Sequence, residues 1–322
     1  MAERVNERTL SPQARWWIRR GLLGIVVVWG AATVTFIGMQ LLPGDKATLI
    51  AGGGSLGGAT PEVLAAITRE YGLDRPLIAQ YGDFLARLIH GDLGTSYQRG
   101  APVAELIWSQ LGSTVVLALG AAVLGFVLAV VLATSTAARP RGRAVTSTVE
   151  LVLLSTPSAW VGILALTVFS FELRIFPAIG NDGIASLVLP WVTLALPIAA
   201  ALAQVMRDGL ERALEQPFAT TVLSRGATHG RLRWRHLARH SLIPVLTLSG
   251  WSLAELLGGV VIVETVFARA GIGQLLVTAV TSRDFPVVAG VVILSAVVFV
   301  VVNVIVDALY RVVDPRLRET TP

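Results

Sequence analysis

Cysteine and charge are both scarce in this sequence. Its 322 residues include no cysteine and a single lysine, Lys46, and only 15% of the side chains are charged. The lack of cysteine excludes disulfides, a thiolate metal site and a cysteine nucleophile. A soluble chain usually has about a quarter charged residues. With 54% apolar residues and a mean hydropathy of +0.69, the composition favours one helical membrane bundle over two soluble domains.

Long apolar segments account for this composition. Charged side chains are absent from 21–42, 106–138, 151–171, 183–206 and 285–306, and a sixth stretch, about 241–268, carries Glu255, Glu264 and, at its border, His240. Each stretch can cross about 30 Å of hydrocarbon as a helix, and lipid offers the backbone no other partner. The sequence predicts an all-α integral membrane protein with six transmembrane helices. Buried helices of a large soluble protein are the disfavoured alternative.

The predicted boundaries divide the chain as follows. The spans are 21–42, about 112–138, about 150–172, about 184–206, about 244–268 and about 285–310. The segments between and around them are an N-terminal segment 1–20, a long loop 43–105, a loop 207–243 and a tail 311–322. The part from 106 to 322 forms the predicted core of the bundle.

Arginine is unevenly distributed among these segments. The short segments on one side of the six spans hold 18 Lys and Arg, against 3 in the short segments on the other side. Because positive residues stay in the cytoplasm, both termini are predicted to be cytoplasmic. The net charge of +5 is then a topology signal, so no nucleic-acid partner is expected.

The outer loop 43–105 should contain two short helices. Thr60 is placed to be the N-cap of the first, with Pro61 at its first position and Gly72 as its stop. The second is predicted from Pro76 to His90, where apolar residues recur at helical spacing. This loop is long enough to form a small structured cap.

Several motif matches are better explained without a catalytic or ligand-binding site. Gly52-x-Gly54-x-x-Gly57 fits the dinucleotide-binding string, but it follows a membrane helix rather than a strand, so a flexible loop is predicted. No phosphate-binding Gly-x4-Gly-Lys motif exists, so we expect no ATPase site in this chain. His236 and His240 could hold a metal, but a solvated basic helix is the preferred interpretation. No catalytic, cofactor or metal residues are predicted.

The inner loop 207–243 contains a short predicted helix that should need a partner. It begins at Pro217 and stops at Gly226, and isolated helices this short are marginal in water. Its side chains for a protein partner are Phe218 and Val222, with Thr221 and Arg225 adjoining. A second, basic helix, about 228–241, is predicted to rest on anionic lipid headgroups.

Short strings along almost the whole chain carry a family resemblance. They are, in order, Leu42-Pro43-Gly44-Asp45, Tyr71-Gly72-Leu73-Asp74-Arg75-Pro76, Gly91-Asp92-Leu93-Gly94-Thr95-Ser96, Ser155-Thr156-Pro157-Ser158-Ala159-Trp160, the stretch 218–244, Val263-Glu264-Thr265-Val266-Phe267 with Gly271-Ile272-Gly273, Arg283-Asp284-Phe285-Pro286 and Asp314-Pro315-Arg316. Together they resemble the membrane subunits of binding-protein-dependent ABC importers, in the branch that serves dipeptides, oligopeptides and nickel.

The resemblance implies an ABC type I importer permease fold in a bacterial inner membrane. It implies a homologous second permease subunit, two cytoplasmic ATP-binding subunits or one fused subunit that bind ATP and Mg, and an extracytoplasmic binding protein. The residues implied to couple to the ATPase are Phe218, Ala219, Thr221, Val222, Arg225 and Gly226. The sequence departs from the family pattern at Pro217, Ala219, Thr220 and Val222.

Acids and prolines inside the apolar stretches are candidates for the pathway. Pro157, Trp160 and Glu255 are predicted to line it, and Glu255 either faces a peptide amino group or is a structural carboxyl. Glu264 is interpreted as structural and Asp307 as an interfacial anchor. The three prolines predicted to kink or break their helices are Pro157, Pro190 and Pro197.

Three functions follow from these observations. The favoured one is a permease subunit that imports short peptides. The second keeps the architecture and imports nickel or another small solute. The third is an unrelated secondary transporter or membrane enzyme, but a secondary transporter should show inverted repeats, and no convincing repeat is visible in the sequence.

Overall fold

The computed structural model describes residues 12–41, 44–51, 60–137, 139–180, 183–226, 228 and 238–313. Every regular element in these ranges is a helix, and the only pairing of extended backbone there is one bridge between Thr95 and Pro102. The predicted all-α class is confirmed. The glycine-rich string 52–57, most of the predicted basic helix 228–241, the side chain of His240 and the string 314–316 lie outside the described part of the chain.

Twelve α-helices are described. They are α1 (Pro12–Leu41), α2 (Lys46–Ile50), α3 (Pro61–Glu70), α4 (Leu77–Ile89), α5 (Val103–Thr136), α6 (Pro140–Ser155), α7 (Ser158–Ala165), α8 (Ala185–Leu214), α9 (Pro217–Ser224), α10 (Ala238–Val266), α11 (Ile272–Thr281) and α12 (Phe285–Val313). A π-helical segment, Leu166–Glu172, continues α7. Helices α3 and α4 lie where the spacing predicts them. Thr60 is the N-cap residue of α3, although its side chain makes no capping hydrogen bond.

Four described helices are long and apolar enough to cross a membrane, and a fifth candidate is a bent pair. The four segments are Arg15–Leu41, Val103–Thr136, Ala185–Leu214 and Phe285–Ala308, and the pair is Arg141–Ser155 with Ser158–Glu172, bent by 101°. All but the last two residues of the apolar stretch 241–268 lie within α10, which has 29 residues. The predicted third span, 150–172, is therefore not one straight helix.

The bend in this pair follows from Pro157. Proline has no N–H for the helix ladder and pushes the preceding residue towards extended backbone. Thr156 is extended, at φ −91° and ψ 125°, and α7 begins directly after Pro157. The other two predicted breakers act differently, because α8 runs without interruption through Pro190 and Pro197. It also continues to Leu214, past the predicted end at 206.

Helices α5 and α8 form the centre of the fold. Small residues let their backbones approach: a Cβ added to Gly125 would lie 3.2 Å from the Ala195 carbonyl oxygen and 3.0 Å from Ile198. Such close approach stabilises helix pairs where lipid provides no hydrophobic driving force. The buried core around this pair includes Leu117, Ala121, Ala129, Leu194, Leu202, Met206 and, from α10, Leu256 and Val263.

Helix α1 lies at the edge and packs on α12. A Cβ added to Gly24 would lie 2.7 Å from Val300, so the two helices are in close contact there. Arg20 of α1 forms an ion pair with Asp307 of α12. Much of the remaining surface of α1 is apolar and exposed, as at Val34 and Leu41, which suits a lipid environment.

Candidate functional site

A cavity of about 280 Å³ lies where the bent pair meets α8 and α10. Its lining comes from three places in the chain. The bend contributes Leu154, Ser155, Thr156, Pro157 and Ser158, α8 contributes Leu194, Pro197 and Ile198, and α10 contributes Glu255, Leu256 and Gly259.

The bend brings the C-terminal end of helix α6 to this cavity. The last four carbonyls of an α-helix have no partner within the helix. At the end of α6, the Thr156 hydroxyl donates a hydrogen bond of 2.7 Å to the Val152 carbonyl oxygen. The remaining carbonyls of this last turn belong to residues beside or within the cavity lining. Irregular backbone at membrane depth is tolerated where it lines a cavity or packs on protein.

Two of the three predicted pathway residues are brought together here. Pro157 and Glu255 both line the cavity although 98 positions separate them in the sequence. Trp160 does not line it, and 61% of its surface is exposed. Glu255 is exposed, and no ion pair or hydrogen bond links it to another described residue.

Glu264, at the far end of α10, has the opposite environment. It is fully buried and its carboxylate accepts hydrogen bonds from the Thr114 hydroxyl at 2.7 Å, the Gly273 N–H at 2.7 Å and the Gln274 N–H at 3.2 Å. The last two donors lie in the first turn of α11, where backbone N–H groups have no partner within the helix. Glu264, a residue of α10, therefore caps α11. Its interpretation as a structural residue is confirmed by these contacts.

The glycines of the same string are explained by this cap. A Cβ added to Gly271 would collide with the Glu264 carboxylate, and one added to Gly273 would lie 2.5 Å from the Val261 Cα. The backbone of α11 therefore approaches α10 closely only because these positions lack side chains. The string from Val263 to Gly273 is thus a packing unit that docks α11 onto α10.

A second buried carboxylate joins distant parts of the chain at this end of the bundle. Asp284, which precedes α12, accepts hydrogen bonds from the Ser96 hydroxyl and, at 3.0 Å, from the Tyr97 N–H. Burial raises the pKa of the Tyr97 phenol to about 12. Two of the strings that carry the resemblance, 91–96 and 283–286, therefore meet in one hydrogen-bonded cluster.

A buried ion pair lies at the opposite end, near α9. Arg207 of α8 and Glu150 of α6 are both 2% exposed and form a two-point contact. The Arg207 Nε also donates to the Thr136 hydroxyl of α5 at 2.9 Å, and one terminal nitrogen reaches the Ser147 hydroxyl at 3.3 Å. One guanidinium therefore ties α5, α6 and α8 together.

Neither residue was predicted from the sequence to form this pair. Arg207 is the first residue of the predicted loop 207–243, and Glu150 is the first residue of the predicted span at about 150–172. One signal could have found them: consecutive spans run antiparallel, so the start of the third span and the end of the fourth lie at the same membrane level. Opposite charges at those two ends are then within reach of each other.

Helix α9 contains four of the six predicted coupling residues, and Arg225 and Gly226 follow it directly. The six residues separate into a buried set and an exposed set. Ala219 is 2% exposed, and Phe218 and Val222 pack against the core of the bundle. Thr221, Arg225 and Gly226 are exposed. Gly226 ends the helix at φ +84°, in the left-handed region that favours glycine. The face that points away from the chain's own core is therefore the polar one.

The fold and these sites define a polytopic helical membrane component, and comparisons identify its family. Residues 13–118 match the family described as binding-protein-dependent transport system membrane component, N-terminal. Residues 121–319 match the binding-protein-dependent transport system inner membrane component. The chain belongs to this family of transport components. The resemblance inferred from the short strings is confirmed.

Relatives agree with this membership, and a solved structure shares the fold. A Brucella abortus (strain 2308) protein whose name describes a peptide transport system permease is 37% identical, over 94% of this chain and 98% of its own length. The oligopeptide transport system permease protein of Bacillus subtilis (strain 168) is 33% identical, over 94% and 99%. A crystal structure of an amino acid ABC transporter with histidines has the same fold, at 18% identity and a TM-score of 0.50, over 65% of this chain and 94% of that one.

Proposed function

We propose that this chain is the transmembrane subunit of an ATP-driven importer that takes up short peptides. The observation that carries the proposal is identity across 94% of the chain with proteins named as peptide, oligopeptide and dipeptide permeases, at 37%, 33% and 30%. The similarity covers nearly the full length of this chain and of each relative, which supports a shared architecture and a shared class of transported molecule. An extracytoplasmic binding protein delivers the peptide, and a homologous second permease subunit completes the pathway.

The proposed topology has six spans with both termini in the cytoplasm of a bacterial inner membrane. The bent pair is the third span and α10 is the fifth. The arginine distribution supports this orientation, because it places α9 inside and the α3–α4 segment outside. The large exposed apolar surface of α1, α5 and α7 supports contact with lipid and with the second subunit.

Helix α9 is the proposed coupling element. The exposed residues Thr220 and Thr221 of α9, and Arg225 just after it, would contact an ATPase subunit. Phe218, Ala219 and Val222 would hold the helix on its own bundle. ATP and Mg would bind to the ATPase subunits, since the sequence has no phosphate-binding Gly-x4-Gly-Lys motif. Movement of the ATPase pair would then reach α8 directly, since only two residues separate α8 from α9.

Uptake by the reconstituted complex tests the cargo. Proteoliposomes containing this subunit, its permease partner and the ATPase subunits would receive binding protein loaded with a dipeptide, a tripeptide or nickel. We expect ATPase stimulation and uptake with peptide. Stimulation by nickel alone would overturn the proposal of peptide import.

A pair of Gly226 variants tests the coupling. Gly226→Val introduces a β-branched residue at φ +84°, whereas Gly226→Asn introduces one that tolerates this region. Nothing lies within 4 Å of an added Cβ there, so only the backbone conformation is challenged. We expect the Val variant to insert normally but to lose about tenfold in uptake per ATP hydrolysed, and the Asn variant to retain most of it. Normal coupling in the Val variant would disprove the role of α9.

A further inference from the structure

We propose that the cavity binds the α-ammonium group of the transported peptide, through the Glu255 carboxylate and the carbonyl end of α6. This inference rests on the proposed function of peptide import and adds the chemical group that the permease itself recognises. It therefore concerns a site in the membrane subunit, separate from whatever the binding protein recognises.

The first argument for this proposal is the charge of the cavity lining. Among the described lining residues Glu255 alone is charged, and the others are apolar or carry hydroxyl groups. Glu255 is exposed to the cavity, and no described residue forms an ion pair with it. A carboxylate within an apolar helix is costly, so a cationic ligand for it is favoured.

The bend supplies a second, independent attraction for a cation. Helix α6 has 16 residues and ends at Ser155, which lines the same cavity as Glu255. The C-terminal end of a helix carries a partial negative charge, and its last carbonyls lack donors. An ammonium group has three N–H donors, so it can bind a carboxylate and helix carbonyls together. Unwound helix ends bind cations in this way in other transporters.

The size and walls of the cavity favour one end of a peptide over a whole chain. Its volume of about 280 Å³ is near the lower limit of pockets that enclose a complete small ligand. Leu154, Leu194, Ile198 and Leu256 give the remaining lining an apolar character that would accept the first side chain with little selectivity. A site that recognises the charged amino terminus and accepts different first side chains suits a transporter of peptides of varied sequence.

The test compares a free amino terminus with a blocked one in wild type and in Glu255→Gln. Proteoliposomes with the complete complex would receive binding protein saturated with trialanine or with N-acetyl-trialanine, and saturation would be checked separately for each peptide. Wild type should take up trialanine about tenfold faster than the acetylated form. In Glu255→Gln this ratio should fall to about one. Glu70→Gln removes an exposed carboxylate of α3 that is not part of the cavity lining, and it should keep the wild-type ratio.

The outcomes separate this inference from the proposed function. If the ratio of trialanine uptake to N-acetyl-trialanine uptake were the same in Glu255→Gln as in wild type, the inference would be overturned while peptide import stands. An equal loss of uptake for both peptides would have the same meaning. If wild type imports neither peptide but imports nickel, the proposed function fails and the inference fails with it. Glu255→Asp provides a second variant that keeps the charge, and it should keep a ratio well above one.

Discussion

Two regions along α10 place the same residue type in opposite surroundings. At the α11 end, Glu264 is fully buried and accepts three hydrogen bonds from a hydroxyl and two backbone N–H groups. Near the middle of the helix, Glu255 is exposed to a cavity, and no described residue donates to it or forms an ion pair with it. Both lie in one apolar stretch, so the hydropathy pattern alone does not distinguish them.

The difference teaches how to separate a structural acid from one available to a ligand. Burial of a carboxylate is tolerated when donors from the protein satisfy its oxygens. Glu264 has these donors, so it contributes to stability and has no capacity left for a substrate. Glu255 has a cavity in place of donors, which leaves its oxygens available. Stability and transport should therefore respond to the two residues in opposite ways.

The largest expected effect concerns a third carboxylate, that of Glu150. It tests whether the stability of a buried acid depends on its partners rather than on burial itself. Arg207→Met removes the partner of Glu150 and leaves a buried charge without compensation, so we expect a loss of about 3–5 kcal/mol. Thermal unfolding of the detergent-solubilised protein can be followed by the fluorescence of its 8 tryptophans. Adding Glu150→Leu to the same variant should recover most of the stability. If the single and double variants were equally unstable, packing rather than charge would explain the loss.

The next effect concerns Glu264 itself. Glu264→Ala leaves the Thr114 hydroxyl and the N–H groups of Gly273 and Gln274 without their acceptor in a buried place. We expect a loss of about 3 kcal/mol, seen as a lower unfolding temperature. Glu255→Ala is the matched control on the same helix and should change stability by less than about 0.5 kcal/mol. Equal effects of the two variants would remove the distinction between the two regions.

A smaller effect tests the close contact that the Glu264 cap requires. Gly273→Ala puts a Cβ 2.5 Å from the Val261 Cα and 3.0 Å from a Glu264 carboxylate oxygen, so we expect a loss of about 1–3 kcal/mol. Gly258→Ala, within α10 itself, meets nothing within 4 Å and should be neutral or slightly stabilising in a helix. A neutral Gly273→Ala would show that α11 can move away from α10 at little cost.

Much of the architecture could be predicted from the sequence because its causes are local. Runs without charge identify the apolar segments, the spacing of apolar residues and Gly72 identifies α3, and Pro157 identifies the bend. The predicted end of the fourth span was set by the first charge, Arg207, whereas α8 continues to Leu214. Arg207 therefore lies inside α8, where Glu150 and Thr136, which are distant in the sequence, accept hydrogen bonds from its side chain.

The candidate site was predictable only in part for the same reason. Pro157 and Glu255 were singled out by their chemistry, but their meeting in one cavity depends on how three elements pack. Trp160 was predicted from its place in a string, and it is exposed and not part of that lining. The contact between Asp284 and Ser96 spans 188 positions, which no local pattern indicates.

Uptake and thermal stability of Glu255→Gln, measured on the same reconstituted complex, test the central claim most directly. The account predicts an unfolding temperature equal to that of wild type and a loss of the preference for trialanine over its acetylated form. A lowered unfolding temperature with an unchanged preference would contradict it, because Glu255 would then be a structural acid like Glu264.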